Sequence, residues 1–278
     1  MKISDNLAII TSGGGMKCAY SAGAIHALAT ELDITRPDIY VSASGSTGTM
    51  FYYLAQQYDD IEKIWTRYLP SPHFIRYAPF PALRINYLID TVAKKYLPLD
   101  VEKVEYSPTK FFMPVTDSES GETRFLNKGL WFNPYEMVRA ATAIPIFYNK
   151  NVWLGGRNYL DGDFSTSTNA LVQKAIAEGA TRILCISNTD SPSETRKSIL
   201  RAYGRLLKPG LRKALMDDLA DDQAIHIPEG VQYVCLSPSS TLPAVLYSRE
   251  PRKIKEAFYM GREDLLAKAE EIRALFTA

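Results

Sequence analysis

Two serines stand two residues apart in a run of small side chains, "VSASGSTGT", from Val41 to Thr49. A strand-like stretch ends there and a helical pattern begins, so both serines fall on a tight turn. Small neighbours let such a turn hold a strained backbone without clashes, as a nucleophile elbow requires. A serine held this way attacks a carbonyl if a base takes its proton and N–H groups receive the oxyanion. Ser44 is framed as "SASGS" and Ser46 as "SGSTG", so each frame lacks the first glycine of G-x-S-x-G. A serine capping the next helix would use the same residues. Histidine is the usual base, but the chain holds only His26, His73 and His226, in a helix, a proline-rich run and a charged region. No pattern sets one beside the serines. Asp161, in "RNYLDGDFSTSTNAL", is delivered by Tyr159 and Leu160 into a glycine turn. Alone this reads equally as a simple Asp-Gly turn. With a serine elbow it offers a base that needs no histidine.

The oxyanion partner is sought in "LAIITSGGGMKCAYSAGAI", Leu7 to Ile25. Gly13, Gly14 and Gly15 are costly to order, because glycine loses the most freedom on folding. Keeping all three implies unusual backbone angles or close approach to another group. They also lead into a helix N-terminus, whose N–H groups and dipole favour an anion.

The elements that must position these residues are legible in outline. Residues 7–11 read as a buried strand, 16–32 as a helix, 37–44 as a strand and 48–58 as a helix. This βαβα order favours a parallel sheet. "KFFMPVTD" (110–117) reads as a strand with "GETRFLN" (121–127) as its hairpin partner. "NPYEMVRAATAIP" reads as a helix with Pro134 in its first turn and Pro145 as its stop. A helix at "TNALVQKAIAEGA", strands at 181–188 and 231–238, and a long C-terminal amphipathic helix complete the pattern. Residues 191–230 read as partly helical with a break at Pro209-Gly210.

The chain of 278 residues is 46% hydrophobic with a net charge of +1, which fits one large domain over 1–278. A cap or lid excursion is expected at 59–110. Near-neutral charge gives no electrostatic basis for nucleic-acid binding. Cys18, Cys185 and Cys235 are scattered, form no metal-like cluster and are expected as core thiols of a reducing, cytoplasmic compartment. The apolar run Leu7–Ile10 is too short for a signal peptide or membrane span.

Four segments, in order, resemble the patatin-like phospholipases, lipid acyl hydrolases with a Ser–Asp dyad. They are "SGGGMKCAYSAGAI", "PDIYVSASGSTG", "VRAATAIPIFY" and "YLDGDFSTSTNAL", within residues 7–188. The resemblance implies a three-layer α/β/α sandwich with a mainly parallel central sheet. It implies an oxyanion hole at Gly13, Gly14 and Gly15, Asp161 as base, and Ser44 as nucleophile, six positions after Asp38. Ser46 stays open, because Gly48 follows it by two. The activity implied is hydrolysis of phospholipid or related lipid esters, with a membrane surface as the expected place of action and no metal or cofactor. Departures stand at Cys18 and Asp163, where the family usually has glycine and glycine or alanine.

Residues 71–89, "SPHFIRYAPFPALRINYLI", interleave apolar side chains with prolines and two arginines. Phe74 and Phe80 are expected to line an acyl channel or a lid that meets an interface. Three other readings compete. A Rossmann-type nucleotide module would need a third glycine where Cys18 stands. A catalytically impaired patatin fold would bind a lipid or protein without turnover. A membrane-surface adaptor would use the basic, apolar "RLLKPGLRKAL" at 205–215.

Overall fold

The structure, a computed structural model, describes residues 6–78, 82–129, 132–145, 147–148, 150, 152–188, 204–220 and 224–277. Its strands are β1 (Asn6–Thr11), β2 (Ile39–Ser42), β3 (Lys110–Asp117), β4 (Thr123–Leu126), β5 (Val152–Leu154), β6 (Arg157–Asp161), β7 (Ala180–Ile186) and β8 (Gln232–Leu236). They form one sheet in the order β5-β6-β3-β2-β1-β7-β8, with β4 paired to β3. From β8 through β7, β1 and β2 to β3 the pairing is parallel. Beyond it turns antiparallel, at β3–β6, β5–β6 and the β3–β4 hairpin.

The helices are α1 (Ala19–Thr30), α2 (Ser46–Leu54), α3 (Tyr58–Lys63), α4 (Val101–Tyr106), α5 (Pro134–Ala141), α6 (Thr168–Ala177), α7 (Pro209–Ala220), α8 (Pro251–Ala267) and α9 (Ala269–Thr277). Alternation along β1 sorts them into layers. Leu7 and Ile9 join an apolar cluster with residues of α1, α2, α5 and α8. Ala8 and Ile10 point the other way, against Leu171, Val172 and Ala175 of α6. The sheet is thus covered on both faces, the three-layer α/β/α arrangement that a central parallel strand requires. The α1–α8 crossing is close enough to exclude side chains. A Cβ on Gly23 would lie 1.8 Å from Phe258 O, and one on Gly261 1.9 Å from Tyr20 O.

Several boundaries differ from the sequence reading, each for a physical reason. The first helix opens as a 3₁₀ turn over Gly15–Cys18 before α1 begins. The helix expected over 48–58 breaks at Gln56, whose φ is +59°. Helix α5 stops at Ala141, before Pro145; Thr142 Oγ1 bonds back to Val138 O at 2.7 Å, and the freed chain lets Ala143 O accept Asp161 N–H at 3.1 Å. Pro209-Gly210 starts α7 instead of breaking it, since proline suits a first helical turn. The C-terminal helix divides at Lys268.

The excursion is more ordered than its proline content suggests. After α3 the chain widens into a π-helical turn, Ile64–Tyr68, passes an Ile75–Leu83 bridge, and forms a second π-helical segment, Tyr87–Tyr96. Trp65, Leu69, Phe74, Ile85, Ile89 and Val92 are buried in the main apolar cluster. Phe80, and the parts of 191–230 within 189–203 and 221–223, lie outside the described residues.

Candidate active site

Ser44 lies two residues past β2 with φ of +48°, in the left-handed region that side chains avoid. The turn is held by its own carbonyl, which accepts from Thr47 N at 3.0 Å and Thr47 Oγ1 at 2.7 Å. The next residue must be small. A Cβ on Gly45 would lie 2.8 Å from Gly15 O and 3.2 Å from Cys18 Sγ. Elbow and glycine loop therefore touch backbone to backbone.

Ser44 Oγ donates to Asp161 Oδ2 at 2.6 Å, across 117 residues of sequence. Both residues are 2% exposed. Asp161 arrives on β6, which runs antiparallel to β3 and so reaches the elbow from the opposite direction. Its other oxygen, Oδ1, accepts the Asp163 N–H at 2.9 Å, and its carbonyl accepts Thr116 Oγ1 at 2.9 Å. Gly162 packs on β3 so tightly that a Cβ would meet Pro114 O at 2.2 Å. Burial pushes the Asp161 carboxyl well above the usual carboxylate range, and the neighbouring Asp163 charge adds to this. The Ser44 hydroxyl and Asp163 N–H work the other way by bonding the ionised form. A carboxylate so raised is a better proton acceptor than a solvated one.

The glycines are needed for different reasons. Gly14 (φ +137°) and Gly15 (φ +57°) adopt angles that disfavour other residues, and a Cβ on Gly15 would also strike Leu246 O at 2.5 Å. A Cβ on Gly13 would land 2.2 Å from the Asp163 carboxylate oxygens. The Met16 and Lys17 amides are taken, by Leu246 O and Gly14 O. Among the described residues the amides of Gly13, Gly14 and Gly15 make no backbone–backbone hydrogen bond.

Ser46 faces elsewhere. Its hydroxyl donates to Ser12 O at 2.8 Å, lies 3.0 Å from Ser21 Oγ, and accepts from Asn188 Nδ2 at 3.3 Å. Asn188, fully buried, also gives Nδ2 to Ser12 O at 2.7 Å, gives its backbone N–H to Ser12 Oγ at 2.8 Å, and accepts Ser21 N–H at 3.0 Å. It clamps the glycine loop to the elbow. Sequence reasoning missed it; the available signal was a polar residue ending "CISN", at the carboxyl edge of a parallel strand where α/β sites form.

The histidines are engaged away from this pair. His26 faces Glu62 and Arg262, His73 stacks on Tyr87, and His226 bonds Asn169 through its backbone. Cys18 and Cys185 are buried, Cys235 is half-buried beside Cys185 across β7–β8, and all three thiols are free. Burial raises the Cys18 thiol far above its ordinary value, which makes it inert.

A narrow apolar cavity opens at Ser44. It is lined by Gly15, Trp65, Phe74, Val138 and Leu246. A second apolar cavity lies beside Phe51, Ile64, Ile89 and Leu99. Gly48, Trp65, Leu69 and Leu88 line both, so the two adjoin.

A doubly covered sheet with a strained serine turn, a glycine loop and a buried carboxylate meeting at one edge defines an α/β protein of hydrolase architecture. The chain belongs to the patatin-like phospholipase family, matching it over residues 9–172. It is 24% identical over 196 residues to the uncharacterized protein YjjU of Escherichia coli K12, covering 66% of this chain. The chain spans about half (52%) of that relative's length. Among solved structures it is similar to VipD from Legionella pneumophila, at 11% identity and TM-score 0.47 over 95% of this chain and 67% of that one. It is also similar to human GIVD cytosolic phospholipase A2 in complex with an inhibitor, at 12% identity and TM-score 0.45 over 98% and 59%. Among the described residues no helix is long and apolar enough to cross a membrane.

Proposed function

We propose that the protein is a serine-dependent, phospholipase A-type lipid acyl hydrolase. The observation that carries this reading is the 2.6 Å bond from Ser44 Oγ to buried Asp161, at the mouth of an apolar channel. Asp161 takes the serine proton as Oγ attacks the ester carbonyl. The amides of Gly13, Gly14 and Gly15 receive the oxyanion. Collapse expels the alcohol, which takes the proton back from Asp161, and leaves an acyl ester on Ser44. Water then repeats the steps and frees the acid, so no metal or cofactor takes part. Ser44 is favoured over Ser46 because only Ser44 bonds Asp161 among the described hydrogen bonds.

The substrate follows from the channel. A slender cavity walled by carbon suits a fatty chain, and Phe74 lies along it. Residues 59–110 act as the cap that completes this channel within a single domain. Free thiols agree with a cytoplasmic enzyme acting on lipid at a membrane surface.

Hydrolysis rates across a series from acetate to palmitate esters test the proposal. Each buried methylene contributes up to about 0.8 kcal/mol, so kcat/KM should climb steeply with length, and Ser44→Ala should abolish it. A flat series, or one peaking at acetate, would leave only a generic esterase. The second reading is a binding module without turnover. Asp163 favours it, because its carboxylate lies against Gly13, where it opposes a developing oxyanion. Failure to cleave any fluorogenic ester, with lipid still bound, would select that reading.

A further inference from the structure

The channel mouth is ringed by segments with an unusual charge pattern. No aspartate or glutamate occurs from Asn6 to Thr30, from Lys63 to Ile89, from Met137 to Leu160, or from Gly230 to Arg249. The chain as a whole is balanced, at net +1, so its acidic residues are concentrated elsewhere. These four segments meet around Ser44. Leu246 lines the outer chamber, and its carbonyl accepts Met16 N–H at 3.0 Å. Leu83 N–H bonds Phe147 O at 2.9 Å, and the Phe147 ring stacks on Tyr247 at 6.2 Å. Arg249 lies over the Tyr77 ring, 4.1 Å from its centre.

The outer surface of this ring carries Tyr77, Val245 and Tyr247, each about half exposed. Arg249 lies on Tyr77; Arg76 precedes Tyr77, Arg84 is held across the Ile75–Leu83 bridge by its N–H to Phe74 O at 2.8 Å, and Lys17 follows Met16. None of these four makes an ion pair with a carboxylate among the described residues. Two acids approach the rim. Glu250 accepts the Arg249 N–H at 3.2 Å, and Asp163 lies over Gly13. The rim remains net basic. Aromatic side chains with one apolar and one polar end, set among arginines, match the boundary between headgroups and acyl chains.

We propose that this rim is a docking surface for an anionic lipid bilayer. Tyr77, Val245 and Tyr247 enter the headgroup boundary, while Arg76, Arg84 and Arg249 hold lipid phosphates, so the channel opens directly onto the membrane. The inference rests on the lipid-hydrolase reading for its purpose, but its test does not require turnover.

The full chain is sedimented with vesicles of phosphatidylcholine, or of phosphatidylcholine partly replaced by phosphatidylglycerol, and hydrolysis of a soluble butyrate ester is followed in parallel. Binding is expected to the anionic vesicles only, and to be lost at about 1 M salt, where screening falls to roughly 3 Å. Arg76→Gln/Arg84→Gln/Arg249→Gln should weaken vesicle binding about a hundredfold, roughly fivefold for each charge, with butyrate hydrolysis unchanged. Tyr77→Ser/Tyr247→Ser should also weaken it. Lys208→Gln/Lys213→Gln, on the basic α7 segment, should leave it intact. Equal binding to both vesicle types, no binding, or loss of binding on the α7 changes alone would overturn the proposal; no binding would turn attention to an acidic protein partner. Butyrate cleavage without vesicle binding would defeat the docking surface and spare the hydrolase. Vesicle binding without ester cleavage would do the reverse.

Discussion

Asp161 is raised by burial first and by Asp163 second, and this has separable consequences for rate and stability. In the proposed mechanism Asp161 is the base and must be ionised, so kcat/KM for a soluble ester should rise with pH through an apparent pKa well above the carboxylate range. Asp163→Asn removes the like charge and should move that limb to lower pH. An unmoved limb would detach Asp163 from the chemistry. For stability the sign is opposite. The folded state holds this proton more tightly than the unfolded chain, so Asp161 costs stability as pH rises from about 3.9 through its raised folded value. Asp161→Asn should therefore be inactive yet at least as stable as the parent at neutral pH, by urea denaturation. The serine pair gives a cleaner contrast: Ser44→Ala should abolish turnover, whereas Ser46→Ala should retain most of it.

At the scale of elements, a buried neighbour holds the glycine loop in place. Asn188, just past β7, makes four hydrogen bonds to Ser12, Ser21 and Ser46 while fully buried. Asn188→Ala strands the Ser21 amide, at roughly 1–3 kcal/mol for a buried unmet group, and leaves the Ser12 carbonyl with Ser46 Oγ as its remaining donor. A fall in melting temperature together with a fall in kcat is expected; a fall in stability alone would make the clamp structural only. The loop itself was legible because three adjacent glycines have no cheap explanation. Its clamp was not, because an asparagine after a strand gains meaning only when a residue 176 positions away is known to face it.

The whole molecule decides what the channel accepts. Gly48 lines both chambers, and a Cβ there would meet nothing within 4 Å. Gly48→Leu should narrow the passage, its Cβ entering open space. It should also strengthen α2, since glycine costs a helix interior about 1 kcal/mol. Palmitate turnover should fall sharply, butyrate turnover should persist, and the melting temperature should not drop. Unchanged palmitate turnover would mean that the fatty chain lies elsewhere. Phe74→Ala should flatten the length series from the outer end.

The sequence by itself determined the local geometry of this protein. A βαβα order, three costly glycines, a small-residue turn and an Asp-Gly turn each follow from backbone preferences within about ten residues. Those preferences specified the parallel layers, the glycine loop and the two strand ends that carry Ser44 and Asp161. Only the tertiary structure decided between Ser44 and Ser46 as the partner of Asp161. Both stand in equally small surroundings, and the difference lies in which one the distant β6 reaches. The helical turns inside the excursion at 59–110 were hidden for a related reason. These wide turns over Ile64–Tyr68 and Tyr87–Tyr96 do not follow the ordinary helical period, and they are tied to distant elements, Trp65 Nε1 to Thr49 Oγ1 of α2 and Ala93 O to the Tyr135 hydroxyl of α5. Adjacency along the chain encodes turns and caps; proximity across a folded sheet depends on every element between.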